Sequence, residues 1–253
     1  MNWEALDLSI LGPAFMAGLL VVTTHVPLGR RVLARGIIFL DLALAQIAGL
    51  GLIAAHGFGW EPGAWQVQAV ALGSALAGAV LLHFTEQRWP QLQEALIGTL
   101  FVLASSGGIL LLAGNPHGGE HLRELLVGQI LWVGYDQLLP VALLYLAVLI
   151  AGFTLRRHPS SLPFYLLFAL SITASVQLVG IYLVFATLII PALAIRNGGD
   201  KGLAWGYLVG VSGYAIGLLL AALLDLPAGA MIVYTLAGCA LSSKLQVTSR
   251  KAL

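Results

Sequence analysis

Leu178-Val179-Gly180-Ile181-Tyr182-Leu183-Val184-Phe185-Ala186-Thr187-Leu188-Ile189-Ile190-Pro191-Ala192-Leu193-Ala194-Ile195-Arg196 is the stretch on which the fold turns. It continues an apolar run that begins at Leu162, and it stops abruptly at Arg196-Asn197-Gly198-Gly199. As one helix, residues 162–195 would be roughly 51 Å long, against a hydrocarbon core of about 30 Å. Such a run either tilts steeply or breaks. Positive charge arbitrates, because Lys and Arg of a membrane protein favour the cytoplasmic side. A break near Gln177–Gly180 gives nine spans with the N-terminus outside. Arg30, Arg31, Arg35, Arg88, Arg156, Arg157, Arg196, Lys201, Lys244, Arg250 and Lys251 then all lie inside, and only Arg123 lies outside. An unbroken helix would put Arg156 and Arg157 on the opposite face from Arg196. The expectation is an all-α, polytopic helical membrane protein of about nine transmembrane segments, with a cytoplasmic C-terminus.

The composition agrees. The 253 residues are 59% hydrophobic and only 9% charged, where a soluble domain carries about 25% charged residues. So few charges could not cover a water-facing surface of this size. The spans read as 9–26, 36–56, 66–84, 94–114, 137–154, 162–177, 178–195, 202–224 and 228–243, each a helix because an isolated strand could not satisfy its backbone in lipid. The connectors carry Gly, Pro and charge: Pro27 to Arg31, Trp60 to Gly63, Arg88 to Pro90, Asn115 to Gly119, Arg156 to Pro159 and Asp225 to Pro227. No linker is long enough to part a second domain, so residues 1–253 are expected to form a single transmembrane domain. The N-terminal Met1-Asn2-Trp3-Glu4 lacks the basic region of a signal peptide, and no cleavage is expected.

Several function classes fall away. A net charge of +1 and the lack of basic clusters interleaved with aromatics give no reason to expect nucleic acid. The single cysteine, Cys239, rules out an internal disulfide and any cysteine metal cage. There is no Walker A motif, no G-x-S-x-G and no His-Glu-x-x-His, so energised work would draw on a partner chain. Small residues recur at helix-packing spacing in Ser74/Gly78, Gly202/Gly206/Gly210 and Gly213/Gly217. Such faces serve either tight packing within one bundle or a dimer seam.

Ionisable residues inside spans are functional candidates, because burying them in lipid is costly. Asp41 leads, one to two turns in from the inner end of its span. It is either a cation ligand or gate residue in a central pathway, or a carboxylate paired with Arg35 or a neighbouring helix. Gln46 is a weaker candidate, since Gln also serves as an interhelical hydrogen-bond donor. His25 and His83 lie near inner span ends, where a satisfied interfacial histidine is the plainer reading. In the outer loop, His117, Glu120 and His121 are borderline metal ligands by type, or simply a solvated loop. The short inner loop with Arg156, Arg157, His158, Pro159, Ser160 and Leu162 either only obeys the charge rule or docks a cytoplasmic partner.

Four blocks resemble the membrane permease subunit of zinc/manganese/iron-type ABC importers, along nearly the whole chain. They are Val179 to Ala194, Leu223-Leu224-Asp225-Leu226-Pro227-Ala228-Gly229, Glu94-Ala95-Leu96-Ile97-Gly98, and Leu126-Val127-Gly128-Gln129-Ile130-Leu131. The first two together are specific. In the second, Ala228 stands where the family has Ser. The resemblance implies a subunit with no ATPase of its own in the cell's inner membrane. It implies a homodimer or paired permeases, two cytoplasmic ATPase subunits and an extracytoplasmic solute-binding protein. It also implies a transported divalent ion rather than a resident cofactor, residues 154–163 as the coupling segment, and Gly180 and Pro191 as gate or turn positions. One departure stands out. The family's second span carries R-x-x-x-x-x-D-x-x-S-H, and here Arg35 and Asp41 keep their spacing while the His position falls on Ala45, or on Gln46 with a one-residue slip. Imidazole suits zinc better than an amide oxygen does, so a chelated metal or an organic solute stays open as cargo. An ATPase-free scaffold or intramembrane enzyme is the reading from another class.

Overall fold

The computed structural model describes residues 7–57, 60, 65–155, 160–196 and 202–249, with side chains as far as residue 242. Among them run ten helices: α1 (Leu8–Arg35), α2 (Leu40–Gly57), α3 (Trp65–Arg88), α4 (Gln93–Leu112), α5 (Gly118–Val127), α6 (Tyr135–Thr154), α7 (Leu162–Val179), α8 (Ile181–Ala194), α9 (Gly202–Leu224) and α10 (Ala228–Ser249). Seven segments are long and apolar enough to cross a membrane: α1, α2, α3, α4 with the short turn before it, α6, α7 and α9. Two shorter apolar helices, Ile181–Ala194 and Ala228–Ser242, accompany them. Exposed Leu103, Leu110, Leu139, Leu143, Ile150 and Phe153 give α4 and α6 an apolar outer surface, as a lipid solvent requires. Trp65, Trp89, Trp132 and Trp205 are exposed at or next to helix ends, where indole rings favour the membrane–water boundary.

The long apolar run does break, and one residue breaks it. α7 ends at Val179, α8 begins at Ile181, and Gly180 between them has φ 80° and ψ 162°, a conformation that is essentially glycine-only.

The chain forms two compact units. One comprises Met1–Arg35, Val127–Tyr145 and Leu178–Leu253. Its described part starts at Asp7, whose Oδ1 accepts the Ser9 N–H at 2.8 Å and so caps α1; the Ser9 hydroxyl, and after it this N–H, hold the Asp7 carboxyl below its ordinary range. α1 packs on α8 and α9, and α10 packs on α9 and α8. Glycines set the spacing. A Cβ at Gly210 would meet Val22 Cγ1 at 2.8 Å, and one at Gly217 would meet Ile232 Cα at 2.6 Å. The glycine stripe of α9 is therefore spent inside the bundle, on α1 and α10. The α9–α10 turn ends α9 with Asp225 at φ 53°, while the Leu226 N–H reaches back to the Ala221 carbonyl at 3.0 Å, a Schellman closure.

Pro27, expected in a connector, lies inside α1. A proline there removes the hydrogen bond to the carbonyl four residues back. That carbonyl belongs to Thr23, and the Tyr207 hydroxyl of α9 donates to it at 3.2 Å. With the freed acceptor satisfied, the helix runs on to Arg35. Pro191 is likewise inside α8 rather than at a turn. Four residues before it, the Thr187 hydroxyl donates to Leu183 O at 2.7 Å and pairs with the Tyr214 hydroxyl at 2.8 Å.

The second unit comprises Gly36–Leu126 and Leu146–Gln177. α2 packs between α3 and α4. Ser74 and Gly78 face α2, against Gly51 and against Ile47 and Leu44, so this small-residue pair is also internal packing. Gln93 joins three helices. Its amide donates to Leu82 O at 2.8 Å and to the Tyr165 hydroxyl at 3.1 Å, while its Oε1 accepts from Thr85.

Candidate functional site

Asp41 is the second residue of α2, 1% exposed, with neither carboxylate oxygen hydrogen-bonded among the described residues. The first turn of a helix favours negative charge, which makes the position tolerable. An uncompensated buried carboxylate is nevertheless costly, by several kcal/mol. Among the described residues no neighbouring side chain bonds the carboxyl. A buried carboxyl without a fixed side-chain partner has the donor chemistry of a cation ligand.

The turn that presents Asp41 is held by Glu94. This residue lies in the first turn of α4, and its Oε1 accepts the Phe39 N–H at 3.3 Å while its Oε2 is buried without a partner among the described residues. Glu94 opens the block Glu94-Ala95-Leu96-Ile97-Gly98, which by itself points to no such role. The signal for one was an acidic residue just after Trp89-Pro90, with α4 beginning three residues beyond the proline. Gln46 is buried on the same helix as Asp41. Five residues at about 100° each put the two roughly 140° apart around the axis, so they do not share a face.

The segment holding His117, Glu120 and His121 is not a loop. Residues Gly118–Val127 form α5, started by the His117 N–H donating to Asn115 Oδ1 at 2.9 Å. Gly118 makes the sharp entry possible, since a Cβ there would lie 2.6 Å from the Leu112 carbonyl oxygen. Helix spacing sets His121 one turn beyond His117. Each histidine faces a carboxylate three residues on, His117 Nδ1 at 3.7 Å from Glu120 and His121 Nδ1 at 3.9 Å from Glu124. Exposed pairs of this kind add little stability. His121 also meets His56, in the last turn of α2, with ring centres 6.3 Å apart. Among the described residues, no three His, Cys, Asp or Glu side chains stand close enough to cage an ion, and Asp41, Gln46 and the α5 residues are not brought together.

His83 is satisfied on both ring nitrogens, by Ser161 Oγ at 2.9 Å and Gln87 Nε2 at 3.0 Å, which supports the plainer reading for it. His25 is fully buried in α1; its Nδ1 lies 2.9 Å from Val21 O, and its Nε2 has no partner among the described residues. Of the expected docking residues, Arg156, Arg157, His158 and Pro159 lie outside the described residues. Ser160 Oγ accepts the Leu162 N–H at 3.2 Å at the start of α7. Next to it, Ser161 Oγ donates to Glu86 and bonds His83, tying the start of α7 to the end of α3.

Gly180 meets Gly128, the other glycine of its unit with positive φ that lies in a quoted block. A Cβ at Gly180 would fall 2.5 Å from Gly128 Cα and 2.6 Å from the Val127 carbonyl carbon. A Cβ at Gly229 would lie 2.9 Å from Val127 O. The glycines of three of the four sequence blocks thus converge on the break between α7 and α8.

Seven segments long and apolar enough to cross a membrane, in a chain that a transport-family model matches along nearly its whole length, are those of a multi-pass permease subunit of an ABC transporter, whose ATPase is a separate chain. The chain belongs to the ABC 3 transport family, which matches residues 7–164 and 154–246. It is similar to the manganese transport system membrane protein MntC of Halalkalibacterium halodurans, 27% identical over 255 residues, covering 91% of this chain and 85% of that protein. Its fold is similar to a chain of PsaBC from Streptococcus pneumoniae in complex with Fab (TM-score 0.74, 20% identity, 96% of this chain and 95% of that one). It is also similar to a putative metal-chelate type ABC transporter solved in an inward-facing conformation (TM-score 0.70, 16% identity, 92% and 85%).

Proposed function

We propose that this chain is the permease subunit of an ATP-driven importer of divalent metal ions, with manganese, zinc or iron as cargo. The observation that carries the reading is Asp41, a buried carboxyl without a hydrogen-bond partner among the described residues at the N-terminal turn of α2, in a chain similar to a manganese transport membrane protein. A divalent ion replaces part of its lost hydration with oxygen and imidazole ligands. Asp41 supplies the charge and Glu94 fixes the turn that carries it. Gln46 offers a neutral oxygen further along the helix, and His117 just before α5 and Glu120 and His121 on it offer further ligands. Sparse ligands suit a pathway, because an ion must leave as well as enter.

The assembly that fits is a homodimer in the cytoplasmic membrane, with the N-terminus outside and the C-terminus inside. A cytoplasmic ATPase subunit docks on residues 156–162, and an extracytoplasmic binding protein delivers the cargo. Ser161, bonded to Glu86 and His83, anchors the docking segment to α3. A push on that segment by the ATPase therefore reaches the helix that packs against α2. The test is cell-associated metal, read by mass spectrometry after co-expression with the ATPase subunit. Accumulation of manganese, zinc or iron that disappears with a hydrolysis-dead ATPase supports the proposal. Equal metal content with and without the permease refutes it.

A metal chelate as cargo is the second reading, favoured by one observation: Ala45 and Gln46 stand where an imidazole was expected. Competition decides between the two. Free ions that displace labelled uptake at far lower concentration than their chelates support the ion, and the reverse order supports the chelate.

A further inference from the structure

We propose that His56 and His121 form a second, shallow divalent-cation site of the zinc class, at the junction of α2 and α5. His56 sits in the last turn of α2, sixteen positions along the helix from the Leu40 end where Asp41 lies. It is therefore separate from the Asp41 locus. Its Nε2 is buried and has no hydrogen-bond partner among the described residues. A buried ring nitrogen without a partner forfeits a hydrogen bond, and a metal ion would make good the loss. The ring facing it belongs to His121, with centres 6.3 Å apart and planes inclined by 40°.

Zinc–imidazole bonds of about 2.0–2.1 Å put two rings on one tetrahedral ion with centres about 5 Å apart. The observed 6.3 Å is wider than that, so rotation of the two side chains would close the rings onto the ion. His121 also carries the outer support that ligating histidines usually have. The Glu124 carboxylate is 3.9 Å from its Nδ1, on the side of the ring opposite Nε2. The His121 side chain is 44% exposed, so the site opens to solvent. With two protein ligands, water or a donor from another molecule fills the remaining positions. Binding is then reversible, as a receiving station requires.

The inference uses the transport reading only for the purpose of the site, and its test needs neither ATPase nor uptake. Zinc chloride is titrated into the purified, detergent-solubilised full chain by equilibrium dialysis, followed by the single variants His56→Phe and His121→Phe and by the double variant. Phenylalanine keeps the ring contact and removes the ligating nitrogens. Loss of one zinc equivalent in the double variant is expected, with at least tenfold weakening in each single variant. Glu124→Gln should weaken binding about tenfold or more. Wild-type stoichiometry and affinity in the double variant would overturn the proposal. If the phenylalanine variants do not fold, zinc protection of the wild type from diethylpyrocarbonate decides. Protection of both His56 and His121 supports the site, and equal modification with and without zinc refutes it. A negative result here leaves ATP-driven uptake untouched, and absent uptake leaves the binding result standing.

Discussion

Replacing Gly180 by alanine should destabilise the protein more than any other single methyl addition on the α7–α8 run. Two physical effects add. Gly180 has φ 80° and ψ 162°, and holding a side-chain-bearing residue there costs about 1–3 kcal/mol. The new Cβ would also press on the Gly128 Cα at 2.5 Å and the Val127 carbonyl carbon at 2.6 Å. These are backbone atoms that cannot swing aside as a side-chain tip can, and overpacking of this kind costs about 1–3 kcal/mol more. The total, about 2–6 kcal/mol, corresponds to a fall in unfolding temperature of roughly 5–20 °C for a chain of this length. Thermal unfolding of the detergent-purified full chain measures it. The internal control is Gly238→Ala on α10, where a Cβ meets nothing within 4 Å. That change should be neutral or stabilising by up to about 1 kcal/mol. If Gly180→Ala melts within 2 °C of the wild type, the glycine contact is not what holds the break.

Other substitutions separate the remaining claims. Tyr207→Phe leaves the Thr23 carbonyl, freed by Pro27, without its donor, and should lower stability by about 1 kcal/mol, read as a small drop in unfolding temperature. Asp225→Gly relieves a left-handed residue at φ 53° and should raise stability by about 1 kcal/mol in the same assay. Asp41→Asn replaces a buried carboxyl that has no hydrogen-bond partner among the described residues, so the unfolding temperature should stay or rise while transport is lost. A marked fall in stability would show that the carboxylate is structural.

The outline was legible because lipid leaves a chain few choices. A long apolar run with Gly at its middle and Arg at its end had to break or tilt, and the break falls at Gly180 inside the expected window. What stayed hidden depended on partners distant in sequence. Pro27 reads as a connector until Tyr207, far along the chain, is seen to bond the carbonyl that Pro27 frees. Asn115 to Gly119 reads as a loop because its turn chemistry is strong, but Gly118 only sharpens the entry into an amphipathic helix. Pro191 looks like a stop and is carried within α8. At the candidate site, Asp41 stood out as a charge in an apolar span. Glu94 did not, because its bond to the Phe39 N–H spans fifty-five positions. The His56–His121 contact brings together two residues that sequence spacing gives no reason to pair.

The central claim is that another chain's ATP hydrolysis drives a divalent metal past Asp41. Proteoliposomes holding this permease, its ATPase subunit and the binding protein test it most directly, with radiolabelled manganese or zinc presented to the binding-protein side. The account predicts uptake that requires ATP and vanishes in Asp41→Asn although the complex still assembles. Metal uptake that proceeds equally well in Asp41→Asn, or no ATP-dependent uptake of any divalent ion by the wild type, would contradict it.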